Sequence, residues 1–232
     1  MSKAYLESQE ITKLEQAAEY LRDKLLIRLL FHLGCRVSEA LGITVKDLDF
    51  KNKTVIIQHL KTRINLACPA CGSRLSKIHK FCPGCGNQVE QVVSEAKERH
   101  RYRKLPVDKE TMALLKEYLH QGGAITRQDK QYLFGLNRHR AWEIVRDCAI
   151  KAGFPKLVNA ESGKEHNVSP HRLRDAFAVH AVKVNDSGDG LRLLQEHLGH
   201  HNITTTMKYR KVSGEEHKDW YSKLWEGGKQ DG

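Results

Sequence analysis

Leucine recurs every fourth residue at Leu21, Leu25, Leu29 and Leu33, with Leu26 and Leu30 alongside, and this spacing predicts a buried helix closed by Gly34. Before it, Ser8 followed by Gln9 and Glu10 predicts the N-cap of a helix running to about Tyr20. After it, Arg36 opens a short helix, RVSEALG, that Gly42 closes. The period then changes. Turn residues over 47–53 lead into a β-branched, apolar run over 54–60, which predicts the outgoing strand of a hairpin. Over 97–107 a period of two sets Arg99, Arg101 and Arg103 on one face and His100, Tyr102 and Lys104 on the other, as a return strand would, with Pro106 limiting pairing near its end.

The rest is mostly helical. Asp108 caps a helix carrying Met112, Leu115 and Leu119 that stops at Gly122 and Gly123. A basic loop over 127–130 precedes a small strand at 132–134, and Asn137 caps a helix with Trp142, Val145 and Ala149 facing inward. Gly153 and Pro155 end that helix, and 156–167 is a polar loop. Ser169 and Pro170 suit the start of a helix that places His171 and Arg174 one turn apart, beside an apolar stripe of Leu173, Phe177 and Ala181. A Gly- and Asp-rich loop leads to a helix over 191–198, which Gly199 ends as a left-handed cap. Ser213 and Glu216 form a capping box for a last helix bearing Trp220, Leu224 and Trp225. The fold class is therefore mixed α+β, mainly helical, with a small antiparallel β-hairpin.

Between the two hairpin strands lies CPACGSRLSKIHKFCPGCG. Its two C-x-x-C-G knuckles, Cys68 with Cys71 and Cys82 with Cys85, are ten residues apart. Four thiolates complete a closed tetrahedral site with no open position, which points to a structural Zn²⁺. Two disulfides or a redox pair are the competing readings, and nothing here resembles the βαβ setting of a redox motif. Cys35 and Cys148 belong to no ligand pattern and read as core.

A formal charge of +11 and a pI near 9.4 point to a polyanionic partner. A membrane surface is the alternative, but no apolar run approaches the roughly 20 residues that span a bilayer and no signal peptide opens the chain, so the sequence reads as soluble and cytoplasmic.

The C-terminal part spaces an imidazole, a guanidinium, a second imidazole and a phenol in an order suited to phosphoryl transfer: His171, Arg174, His200 and Tyr209. A lone H-x-x-R carries no weight. Yet LGCRVSEALGI, HRLRDAFAVH and LGHHNITTTMKY, in this order and spacing, resemble the signature boxes of the tyrosine recombinases, the Xer and phage-integrase type. The resemblance covers nearly the whole chain except about 66–95. It implies a tyrosine recombinase catalytic fold over 1–66 and 91–232, a zinc-ribbon insertion over 67–90, and no amino-terminal core-binding domain.

The resemblance also implies roles. Tyr209 attacks the scissile phosphate; Arg36, Arg174 and His200 stabilise the transition-state charge; Glu39 orients Arg36; His171 is a base or orienting group for the phenol. Lys61, at the end of the outgoing strand, is the candidate general acid, with Lys97 and Lys104 as rivals. Arg99, Arg101 and Arg103 would lie along DNA phosphates. The implied reaction is site-specific cleavage and rejoining of double-stranded DNA through a 3′-phosphotyrosine, without catalytic metal or ATP, with self-association on DNA through the terminal helix. A type IB topoisomerase-like nicking and resealing enzyme and a non-catalytic zinc-ribbon DNA-binding regulator are the alternatives.

Overall fold

The computed structural model describes residues 3–76, 78–89, 93–159 and 162–210, with the backbone alone at 59–65 and 93–101. The chain divides into two compact units, one built from Met1–Ile57 and Arg103–Gly232, the other from Gln58–Tyr102.

The first unit is organised around α2 (Leu21–His32), in which every residue from Leu25 to Phe31 is buried. A helix apolar on nearly all sides must be covered on all sides. Helices α1 (Ser8–Gln16), α4 (Lys109–His120) and α6 (Pro170–Val184) pack against it. Charge is buried here too: Arg28 donates to the buried Glu15 at 2.8 Å, Thr111 at 2.7 Å and Glu110 at 2.7 Å, so its burial is compensated.

Helix α1 differs from expectation at both ends. Glu7, not Ser8, is the N-cap, its amide donating to Glu10 Oε2 at 2.8 Å. The helix ends at Gln16 because Tyr20 is needed in extended form to start α2, where its carbonyl accepts from the amides of Asp23 and Lys24, each at 3.0 Å.

The short helix α3 (Val37–Leu41) forms as expected, with Arg36 at its N-cap and Gly42 at its C-cap. Strand β1 (Leu48–Asp49) pairs antiparallel with β2 (Thr54–Ala67), Leu48 opposite Val55. The two long strands, β2 and β4 (Val93–Pro106), pair with each other, and β3 (Arg74–Leu75) pairs antiparallel with the far end of β2.

Asp108 caps α4 by accepting the Thr111 amide at 2.9 Å. The basic loop proves to be the tip of a hairpin between β5 (Ile125–Arg127) and β6 (Lys130–Tyr132), so the strand expected to begin at Tyr132 ends there. Gln128 and Asp129 take positive φ at this tip, the conformation that two-residue hairpins require. Asn137 caps α5 (Arg138–Lys151) as expected. The polar loop that follows contains a two-residue ladder, β7 (Leu157–Val158) with β8 (Glu165–His166), too short to leave a periodic trace.

Helix α7 (Gly188–Leu198) begins earlier than the apolar pattern shows, because Ser187 Oγ accepts the Gly190 amide at 3.0 Å and the glycine-rich stretch becomes the first turn. Its buried Leu191, Leu194 and Leu198 form a second cluster with Ala178 and Val182 of α6. Met207 and Tyr209 of α8 (Ile203–Arg210) pack on that cluster, which fixes the phenol against α6. The expected terminal helix with Ser213, Glu216, Trp220, Leu224 and Trp225 lies outside the described residues.

Candidate active site and metal centre

Glu39 is the hub of the site. It is 2% exposed, and Oε2 accepts the Arg36 backbone amide at 2.9 Å and Arg103 Nη2 at 2.8 Å, while Oε1 accepts Arg36 Nη1 at 2.9 Å. Arg174 Nη1 lies 3.8 Å from Oε2. One carboxylate thus gathers three guanidiniums from α3, β4 and α6. Burial alone would raise its pKa; Arg103, the Arg36 amide, and the charges of Arg36 and Arg174 outweigh that and hold it below the ordinary glutamate value.

Arg174 is almost completely enclosed. It donates to the carbonyls of Gly34 at 2.7 Å and Leu198 at 2.8 Å, and Nη2 lies 3.2 Å from His200 Nε2. Burial, then the like charge of Arg36, lowers its pKa to about 10. The same contacts fix the tautomer of His200. An arginine can only donate, so Nε2 is the acceptor, and Nδ1 carries the proton that it gives to Thr206 Oγ1 at 3.0 Å. Burial and then Arg174, Arg36 and Arg103 lower the His200 pKa to about 4, so the ring is neutral at pH 7. Gly199 places it there, with φ 67° and ψ 39° as the C-cap of α7. A Cβ at this position would also run into Arg103 Nη1.

Tyr209 turns its hydroxyl to a carboxylate rather than to the cations it was expected to need. Its ring stacks at 6.3 Å from His200, but its hydroxyl donates to Asp175 Oδ1 at 2.9 Å. Burial and the Asp175 carboxylate push the phenol pKa up rather than down. Asp175, 6% exposed, also accepts from Arg172 Nη1 at 3.2 Å.

The structure therefore brings together Arg36, Glu39, Arg174, His200 and Tyr209, and adds two residues. Arg103, expected to lie along DNA phosphates with Arg99 and Arg101, turns to Glu39, and its Nε and Nη1 are buried with no hydrogen-bond partner among the described residues. Asp175 was read only as part of a motif, although its position four residues after His171 placed it on the same side of α6. His171 occupies a different environment from Arg174 despite lying one turn away. Its side chain is 74% exposed, with Nε2 4.0 Å from Asp175 Oδ2. Lys61 and Lys97, Arg99 and Arg101 lie on β2 and β4 where only backbone is described. Lys104 approaches Asp49 Oδ2 at 3.9 Å.

Two histidines without a motif have packing roles. His197 meets the Leu33 carbonyl at 3.0 Å and stacks on Phe177, and His32 lies 3.3 Å from Asp108. Cys35 is buried, its thiol pushed up to about 12 by that burial.

In the second unit the four sulfurs of Cys68, Cys71, Cys82 and Cys85 all lie within 4.8 Å of one another. Sγ separations of 3.8 Å for Cys68 and Cys85 and 3.5 Å for Cys71 and Cys82 exceed a disulfide bond. They match the edge of about 3.8 Å that a tetrahedron with Zn–S bonds of about 2.3 Å demands. The knuckles repeat one geometry. Gly72 and Gly86 amides donate to the carbonyls of Cys68 and Cys82, and the Gly84 amide approaches Cys82 Sγ at 3.3 Å. Around them, among the described residues, Cys68, Leu75 and Cys82 form an apolar cluster with Leu66 and Val89.

Comparison with known proteins places this geometry. The phage integrase family matches residues 4–81 and 70–216. The chain is 29% identical over 208 residues to the tyrosine recombinase XerA of Pyrococcus horikoshii, covering 90% of this chain and 56% of that protein. To the tyrosine recombinase XerD of Bifidobacterium longum it is 30% identical over 214 residues, covering 89% and 57%. It thus spans a little over half the length of these relatives. Its fold is similar to the crystal structure of XerA recombinase, with a TM-score of 0.63 at 21% identity, covering 97% of this chain and 64% of that one. It is also similar to XerH site-specific recombinase bound to its palindromic difH substrate, with a TM-score of 0.59 at 21% identity, covering 97% and 54%. By the match that runs through both ends of the site, from Arg36 to Tyr209, the chain belongs to the phage integrase family.

Proposed function

We propose that this chain cuts and rejoins strands of double-stranded DNA through a 3′-phosphotyrosine at Tyr209. The observation that carries the reading is the convergence of Arg36, Arg103 and Arg174 on Glu39, with His200 and the Tyr209 phenol beside them. Such a set of preorganised donors suits a phosphate whose charge grows in the transition state, each being worth about 2.7 to 4 kcal/mol. Arg36, with more than a third of its side chain open to solvent, meets the non-bridging oxygens first. Arg174 and His200 complete the cradle.

Attack by the phenol forms the Tyr–O–P bond and breaks the bond to the 5′ oxygen, which takes a proton from Lys61 on β2. A second 5′ hydroxyl reverses the step, and the conserved bond energy makes ATP unnecessary. Arg99 and Arg101 contact the DNA backbone, and copies of the chain associate on DNA, as the recombination reading requires. Zn²⁺ on Cys68, Cys71, Cys82 and Cys85 is architectural, its binding free energy stabilising the fold of a ribbon module. Among the described residues no helix is long and apolar enough to cross a membrane.

A nicked suicide duplex, which loses the 5′ hydroxyl on cleavage, tests the reading. The wild-type chain should accumulate a covalent adduct mapping to Tyr209, and Tyr209→Phe should bind the duplex without forming it. An adduct on another residue such as Tyr221, or none, would refute the assignment. Exchange between two duplexes separates recombination from simple nicking and resealing.

A further inference from the structure

The nucleophile needs a proton acceptor, and His171, the group expected to serve, is largely in solvent. The Tyr209 hydroxyl instead points at a buried carboxylate, Asp175 Oδ1, at 2.9 Å. We propose that Asp175 is the general base that takes the Tyr209 proton during strand cleavage and returns it to the phenolate during rejoining. This inference rests on the reading of Tyr209 as the nucleophile and extends it to a residue outside the expected catalytic set.

The geometry supports each part of the role. Asp175 is held on α6, where Arg172 Nη1 engages Oδ2 at 3.2 Å and leaves Oδ1 to the phenol. The Tyr209 ring packs, with Met207 and Phe177, on the apolar cluster between α6 and α7. A phenol that gives its hydrogen to Oδ1 keeps its lone pairs free for phosphorus. Burial and the adjacent carboxylate raise the phenol pKa, so ionisation before attack is disfavoured and the proton must leave as the new bond forms.

As the Tyr–O–P bond forms, positive charge builds on the phenol oxygen and its proton passes to Oδ1. The Oη–H bond breaks, an Oδ1–H bond forms, and the P–O5′ bond breaks as the general acid protonates the 5′ oxygen. In rejoining, the 5′ hydroxyl gives its proton back to the general acid, now a base, and forms the P–O5′ bond, the P–Oη bond breaks, and Asp175 returns its proton to the departing phenolate. Phosphoryl-transfer enzymes that use an aspartate to accept a substrate hydroxyl proton follow the same logic.

The test is single-turnover adduct formation by the full chain on the suicide duplex. Asp175→Asn preserves shape and can still accept the phenol hydrogen bond, but it cannot take the proton. The variant should bind DNA as the wild type does and form adduct about 10²- to 10⁴-fold more slowly. A polyfluorinated tyrosine at position 209, whose phenol ionises near neutral pH, should restore most of that rate in the Asp175→Asn background. A rate within about threefold of wild type, or a slow rate that the fluorotyrosine leaves unchanged, would overturn the proposal.

A second measurement needs no change at Asp175. On a 5′-phosphorothiolate duplex, whose leaving group requires no protonation, wild-type adduct formation should show a normal solvent deuterium isotope effect that the fluorotyrosine removes. Absence of that effect would overturn the proposal even if Asp175→Asn failed to fold. A wild-type chain that forms no adduct at all would overturn both readings, whereas a defect confined to Asp175→Asn concerns this one.

Discussion

Replacing Glu39 by glutamine tests whether one carboxylate holds the site together. The change preserves volume, but it removes the charge shared by Arg36 at 2.9 Å, Arg103 at 2.8 Å and Arg174 at 3.8 Å. If the amide oxygen stays toward Arg103, the amide NH₂ meets Arg36 Nη1, donor against donor. Charge-assisted hydrogen bonds contribute about 1.5 to 3 kcal/mol each, and removing one partner of a buried pair costs about 3 to 5 kcal/mol. At 2% exposure, solvent screens little of this. Glu39→Gln should therefore lose about 3 kcal/mol, a large part of the roughly 5 to 15 kcal/mol of a typical domain. Urea unfolding at pH 7, followed by helical circular dichroism, should show a lower midpoint with an unchanged slope.

The acid limb gives an independent readout. Because its folded pKa is lowered, Glu39 contributes stability that is present above the ordinary glutamate value of about 4.3 and is lost as pH falls through the folded value. Glu39→Gln should flatten that limb. Combining it with Arg103→Met should show coupling of at least about 1 kcal/mol. A loss below about 1 kcal/mol for Glu39→Gln, or strict additivity with Arg103→Met, would refute the hub.

Three further outcomes follow from the same structure. Purified protein should hold one Zn²⁺ per chain by elemental analysis, and chelation or Cys71→Ser should abolish hydrogen-exchange protection in Gln58–Tyr102 while leaving α2 protected. Gly199→Ala should destabilise by about 1 to 2 kcal/mol for its left-handed backbone alone, and by more because Arg103 must leave Glu39 to make room, as urea midpoints will show. His200, with its folded pKa lowered to about 4 from an unfolded value near 6.5, should cost stability as pH falls from about 6.5 to 4. That loss should be at most about 3 kcal/mol, less what solvent screening removes, and should vanish from the pH profile of His200→Gln.

The elements with several turns of regular pattern were legible: α2 from its leucines, α4 and α5 from Asp108 and Asn137, and the left-handed cap at Gly199. What escaped was set by contacts distant in sequence. The end of α1 depends on Tyr20 being claimed by α2, and the ladder of β7 with β8 is two residues long. Strand alternation put Arg99, Arg101 and Arg103 on one face and suggested one environment for all three. Arg103 is instead drawn to Glu39, 64 residues away in sequence, and no local pattern encodes that partner. For the same reason spacing marked His171 and Arg174 as a pair but could not assign their depths, which depend on α7 and Gly34 closing over Arg174 alone.

The charge balance of the resting site shows what it lacks. Among the described residues Arg36, Arg103 and Arg174 converge on the one carboxylate of Glu39, an excess of two positive charges within that group, and His200 stays neutral. Among the described residues two buried nitrogens of Arg103 have no acceptor, a costly state for a protein to maintain for stability alone. A phosphodiester brings one negative charge and its pentacoordinate transition state brings two, so the deficit is met in full only as the phosphoryl group transfers. Asp175 stands outside this group, accepting the phenol on Oδ1 and Arg172 on Oδ2. Giving the two carboxylates different partners lets the same site stabilise an anion at phosphorus and accept a proton from the nucleophile, because Glu39 orients the guanidiniums while Asp175 Oδ1 takes the phenol.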